Sequence, residues 1–107
     1  MLKVISSEEE YLNTISQKKL VLIDFYADWC GPCNQIAPLL EELSVEFAEK
    51  LEIAKIDVDS EETENVCQTN AIQCMPTLVF FKNGQVVKRI EGFFLIDEIR
   101  NTIQSSL

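Results

Sequence analysis

Short apolar runs alternate along the chain with stretches whose apolar residues recur at intervals of three and four, the pattern of strands separated by helices. Positions 20–27 read Leu-Val-Leu-Ile-Asp-Phe-Tyr-Ala, apolar on both alternating faces, which predicts a strand in the middle of a sheet with helices over each side. Ile36, Leu39, Leu40, Leu43 and Phe47 then trace one buried helical face, and Pro38 inside that helix is expected to kink it. Positions 51–58 form a second buried strand, which makes the segment a β-α-β unit.

At the N-terminal end a short strand at 3–5 precedes Ser7-Glu8-Glu9-Glu10, which resembles a capping box. It opens a helix whose Tyr11, Leu12 and Ile15 are expected to share a face. The polar stretch 59–69 reads as a loop with a short helix. Positions 77–82 and 85–91 are two strands joined by Asn83-Gly84, a dipeptide suited to positive φ, so they are expected to be antiparallel. Ile96, Ile99 and Ile103 mark a closing helix. With no repeat, linker or low-complexity segment, the expectation is one α/β domain over 1–107, a mixed sheet between helices.

Composition narrows the function. The chain is 47% apolar with three Gly and three Pro, enough to build a core. Eighteen acidic residues against 9 basic ones and no histidine give a net charge of −9, which makes nucleic acid an unfavourable partner. The apolar N-terminal stretch is too short for a signal peptide. No run approaches the roughly 18 apolar residues of a membrane span. A cytoplasmic protein with no membrane partner is therefore expected; a monomer is expected as well. In a reducing compartment four cysteines point to catalysis or metal binding rather than to a structural disulfide framework.

Chemistry concentrates at Trp29-Cys30-Gly31-Pro32-Cys33. Residues three apart on a helical turn are neighbours, so these thiols can join as a disulfide or stand as a dithiol with little backbone movement. Cys30, at the start of the helix, meets free backbone N–H groups and the positive end of the macrodipole, which favour a nucleophilic thiolate. Cys33, one turn inside and expected to be less exposed, suits the resolving role. Pro32 fits a first turn that needs no N–H donor. Zinc is the competing reading of Cys-x-x-Cys, but there is no histidine, and Cys67 and Cys74 are too far apart to complete the ligand spacing. Asp24 breaks the central apolar strand, where burial raises a carboxyl's pKa and fits it to exchange a proton through water with Cys33. Its alternative is a purely structural hydrogen bond. Lys55 on the neighbouring strand is a candidate charge partner or simply solvated.

Trp-Cys-Gly-Pro-Cys at 29–33, Asp-Phe-Tyr-Ala-Asp from Asp24, Pro38, Met75-Pro76-Thr77, Phe81-Lys82-Asn83-Gly84 and Gly92, in this order, make the chain resemble the thioredoxin family along nearly its full length. The resemblance implies a thioredoxin fold, with a mixed sheet of four or five strands flanked by four α-helices. It also implies a protein-disulfide reductase serving electron transport and cell redox homeostasis. Such a protein needs no bound cofactor, and its redox-active disulfide is recharged by an NADPH-dependent thioredoxin reductase. Ribonucleotide reductase, peroxiredoxins and methionine sulfoxide reductases are the implied partners. By the same resemblance Pro76 is a cis proline, Met75 offers its backbone to an extended substrate segment, and Trp29 and Gly92 border the groove. For Trp29 the alternative is a packed aromatic, and for Gly92 a turn residue with positive φ. Gly31 and Pro32 between the cysteines point to a reductant rather than an oxidant by resemblance alone.

Three features depart from the family pattern or add to it. Asn34 stands where many relatives carry Lys or Arg, which removes a positive charge near the thiols. Phe93 and Phe94 stand where a small residue is common, adding bulk to the groove or to the core. Cys74 is expected near the active-site surface as a candidate regulatory thiol, and Cys67 as a half-buried helical residue, also a regulatory candidate. Two readings from other classes are a binding subunit with incidental cysteines and a sensor acting through Cys67 or Cys74.

Overall fold

The computed structural model describes residues 2–92 and 95–107. Among them, five strands and four α-helices follow in the order β1 (Lys3–Val4), α1 (Glu8–Ile15), β2 (Leu20–Tyr26), α2 (Gly31–Glu46), β3 (Leu51–Asp57), α3 (Glu64–Thr69), β4 (Thr77–Lys82), β5 (Gln85–Glu91) and α4 (Ile96–Ser106). One sheet has the spatial order β1-β3-β2-β4-β5, which puts β2 at its centre as its two-sided apolar pattern predicts. β2 runs parallel to β3 and antiparallel to β4, while β4 and β5 form the expected antiparallel hairpin. Asn83 (φ 54) and Gly84 (φ 81) both take the left-handed conformation that this two-residue connection demands.

The period of two in β2 separates the core into two layers. Leu20 and Leu22 join Ile36, Leu40 and Leu43 of α2, Ile99 and Ile103 of α4, and Phe80 on one face. Val21, Ile23 and Phe25 join Tyr11 and Ile15 of α1, Val66 of α3, and Phe81 on the other. By the same alternation Asp24 belongs to the face that α2 covers.

The differences from the sequence-based elements are local. Ser7 caps α1, its side chain accepting from Glu10 N–H at 3.1 Å, while the Glu10 carboxylate accepts from Ser6 N–H rather than from Ser7 as a strict capping box would. Leu12 is half exposed, and Thr14 is buried in its place. Positions 11, 14 and 15 form the inward stripe of a helix, and 12 lies about 100° away from 11. Pro38 lies inside α2, which runs from Gly31 to Glu46, as expected. A 3-10 turn, Glu61–Thr63, precedes α3.

Candidate active site

A central strand with one parallel and one antiparallel neighbour brings distant residues to a single sheet edge. β2 and β3 both end there, so the turns after Tyr26 and after Asp57 are neighbours; Val58 N–H donates to the Tyr26 carbonyl at 2.9 Å. β4 begins at that edge, with Thr77 in register with Phe25, which delivers Met75 and Pro76 to the same place. β5 ends there, and Gly92 N–H donates to the Pro76 carbonyl at 2.9 Å. Ligand sites in such sheets form where strand direction and order change at the carboxyl ends.

Cys30 is the N-cap of α2 and is joined to Cys33 by a disulfide, with the two Cα atoms 5.3 Å apart. The Cys30 sulfur accepts a hydrogen bond from Cys33 N–H at 3.2 Å, so it faces the donors of the first helical turn. Both cysteines are buried, Cys30 at 6% and Cys33 at 3% exposure, so the expected contrast between them is slight. Gly31 and Pro32 are exposed in the first turn. Ala27 is buried with the two cysteines in one cluster, against which Tyr26, Val58 and Met75 pack. The Met75–Pro76 peptide bond is cis, and Gly92 has φ 94, the conformation of a turn residue.

Trp29 is 69% exposed, which rules out the packed-aromatic alternative. Its indole N–H donates to Asp59 Oδ2 at 2.8 Å, and Asp59 N–H donates to Asp57 Oδ1 at 2.9 Å. Asp59 was not among the residues singled out from the sequence. The signal for it was available, since the ends of two parallel strands must meet. Asn34 donates its side-chain N–H to the Asp28 carbonyl at 3.2 Å, closing the turn before α2.

Asp24 is 1% exposed, and its Oδ1 has no hydrogen-bond partner among the described residues. Burial pushes its carboxyl up to about 7, opposed by the Lys55 charge on the adjacent strand, with which Asp24 is in register. The Lys55 ammonium itself lies 4.3 Å from the centre of the Tyr26 ring, a cation–π contact, so it is neither wholly solvated nor committed to Asp24.

The other two cysteines part company. Cys67 packs on the opposite face of the sheet, beside the layer that holds Val66, and burial followed by Asp57 and Glu64 raises its thiol pKa. It is a small hydrophobe away from the disulfide. Cys74 is exposed, one residue from Met75, with its sulfur 3.8 Å from Glu91 Oε1. Phe93 and Phe94 lie outside the described residues. Among the described residues no cluster of His, Cys, Asp and Glu fits a metal, and no helix is long and apolar enough to cross a membrane.

The family model described as Thioredoxin matches residues 3–105. Thioredoxin-1 of Saccharomyces cerevisiae is 42% identical over 86% of this chain and 86% of its own, and thioredoxin of Mycobacterium bovis is 51% identical over 75% and 67%. Among solved structures, Plasmodium falciparum thioredoxin superposes with a TM-score of 0.89 at 37% identity, covering 99% of this chain and 100% of that one. Fasciola hepatica thioredoxin gives 0.88 at 35%, covering 97% and 98%. A buried Cys-x-x-Cys disulfide capping a helix at the edge of a mixed five-stranded sheet agrees with all of these, and the chain belongs to the thioredoxin family of thiol-disulfide oxidoreductases.

Proposed function

We propose that Cys30 is the nucleophile and Cys33 the resolving thiol in the reduction of disulfides in other proteins. The observation that carries the assignment is the Cys30 sulfur accepting from Cys33 N–H at the mouth of α2, a position where a thiolate gains both a donor and the helix dipole. In the dithiol form, Cys30 thiolate attacks one substrate sulfur, the substrate S–S bond breaks, and the departing sulfur takes a proton. Cys33 then attacks the Cys30 sulfur of the mixed disulfide and releases the second substrate sulfur as a thiolate, which is protonated in turn. Two electrons and two protons pass to the substrate, and the Cys30–Cys33 disulfide remains.

Asp24, whose carboxylate form is populated near pH 7, accepts in that form the Cys33 proton through water as the thiol turns nucleophilic, and Lys55 tunes it. Trp29, Met75, Pro76 and Gly92 line the docking surface, with the Met75 backbone pairing an extended substrate segment in the manner of an added strand. Gly31 and Pro32 shape the turn between the cysteines. An NADPH-dependent thioredoxin reductase recharges the pair in the cytoplasm, where the chain acts as a monomer in electron transport and cell redox homeostasis. Peroxiredoxins, ribonucleotide reductase and methionine sulfoxide reductases are its substrate classes. One of the solved structures that this fold resembles concerns the thiol resolving mechanism in yeast mitochondrial 1-Cys peroxiredoxin via glutathione/thioredoxin systems, which supports the first of these.

Insulin reduction driven by NADPH and a thioredoxin reductase tests the roles. Cys30→Ser and Cys33→Ser are both expected to abolish turnover, and only Cys33→Ser to trap a mixed disulfide with insulin. Trapping by Cys30→Ser instead would reverse the two roles.

A further inference from the structure

Arg89 lies on β5, outside the set of site residues, yet its guanidinium reaches back to the segment that delivers Met75. Nε donates to Glu91 Oε2 at 2.8 Å, Nη2 donates to the Ala71 carbonyl at 2.9 Å, and Nη1 donates to the Asn70 carbonyl. Asn70 is the C-cap of α3, and Ala71 follows with φ 52. α3 has no basic residue in its last turn, so a cation borrowed from β5 meets the carbonyls of its C-cap and of the residue that follows.

Glu91 extends the contact. Its Oε2 holds Arg89 while its Oε1 accepts from the Cys74 thiol at 3.8 Å. Beyond Cys74, Thr77 Oγ1 donates to the Cys74 carbonyl at 2.7 Å and Gly92 N–H donates to the Pro76 carbonyl. The segment 70–76 is thereby tied to the β4–β5 hairpin at both ends, with Met75 between the ties and packed on the cluster of Ala27, Cys30 and Cys33.

We propose that Arg89, bridging the Asn70 and Ala71 carbonyls to Glu91, is a positioning residue that fixes where the Met75 backbone meets an extended substrate. This rests on the reading of Met75 as the docking segment. Arg89 touches neither substrate nor sulfur, so its effect is confined to substrates large enough to pair with the segment. The planar fork matters, because three donors at fixed angles serve three acceptors that a lysine can only partly satisfy.

The test compares native chain, Arg89→Ala and Arg89→Lys with insulin and with a small aryl disulfide, and follows amide hydrogen exchange at Ala71 and Ile72. Those amides donate to Gln68 and Cys67 carbonyls at 3.0 and 3.1 Å. Arg89→Ala is expected to raise the KM for insulin roughly three- to tenfold with kcat within about twofold, to leave the small disulfide within about twofold, and to speed exchange at both amides. Arg89→Lys should fall between, and it decides the matter if the alanine variant does not fold. Unchanged exchange overturns the clamp, as does an equal loss on both substrates. Faster exchange with an unchanged insulin KM overturns the docking role of Met75 instead.

Discussion

Asp24 carries a carboxyl into an aliphatic layer and leaves one oxygen unpartnered, and its protonation is therefore linked to folding. Burial, partly offset by Lys55, raises the folded value to about 7 from 3.8, so the folded chain keeps a proton that the unfolded chain has released. The stability due to the neutral carboxyl is fully present below the ordinary value and is lost as pH rises through the folded one. Asp24→Asn should match the native chain near pH 4 and exceed it near pH 8 by on the order of 4 kcal/mol. Urea unfolding across that range measures the gap, and a gap that does not widen with pH would overturn the assignment. The same variant should slow release of insulin from the mixed disulfide by about tenfold or more near pH 7, since proton acceptance is lost. At this scale the cysteines, Asp24 and Trp29 were legible because residue type and local spacing betray them. Arg89 and Glu91 were not, because each matters only through a partner that the chain brings from 17 or 18 residues away, and Asp59, 30 residues from Trp29, shows itself only once the ends of β2 and β3 are set side by side.

Elements were legible where a single period dominates. β4 and β5 match the sequence-based bounds because Asn83-Gly84 leaves little choice of turn. Within the loop and short helix expected over 59–69, the 3-10 turn at Glu61–Thr63 leaves no mark of its own, since a single tight turn has too few residues to show a period. Glycines at two turns should behave differently. A Cβ at either Gly84 or Gly31 meets nothing within 4 Å, but Gly84 has φ 81 and Gly31 has no positive φ. Gly84→Ala is expected to cost about 1–2 kcal/mol through backbone conformation alone, whereas Gly31→Ala should stay within about 0.5 kcal/mol in thermal or urea unfolding. Equal costs would mean that the turn before Cys33 is under a constraint that its dihedral angles do not reveal.

At the scale of the molecule, the two-layered core was foreseeable from a strand apolar on both faces, but the order β1-β3-β2-β4-β5 was not. Nothing local in β4 says that it pairs with β2 across more than 50 residues; only the mutual fit of Leu78, Val79 and Phe80 in the two layers settles it. Over this core the chain carries all but Asp24 of its 18 acids, against 9 bases. The pairs Lys3–Glu10, Arg89–Glu91 and Arg100–Glu46 with Asp97 are surface contacts that answer only part of that excess. Self-repulsion should make the fold more stable as it is screened. Raising salt from about 0.01 to about 0.15 M is expected to raise the melting temperature by a few degrees, and a fall would show the ion pairs outweighing the repulsion.

Trp29 is the chain's one tryptophan, held by Asp59 beside Cys30 and mostly open to solvent. The protein thus carries a built-in optical probe at the place where its chemistry occurs and nowhere else. Emission from that indole is expected to change with the state of the neighbouring sulfurs, which would let the half-reactions be timed by stopped-flow on the unmodified protein.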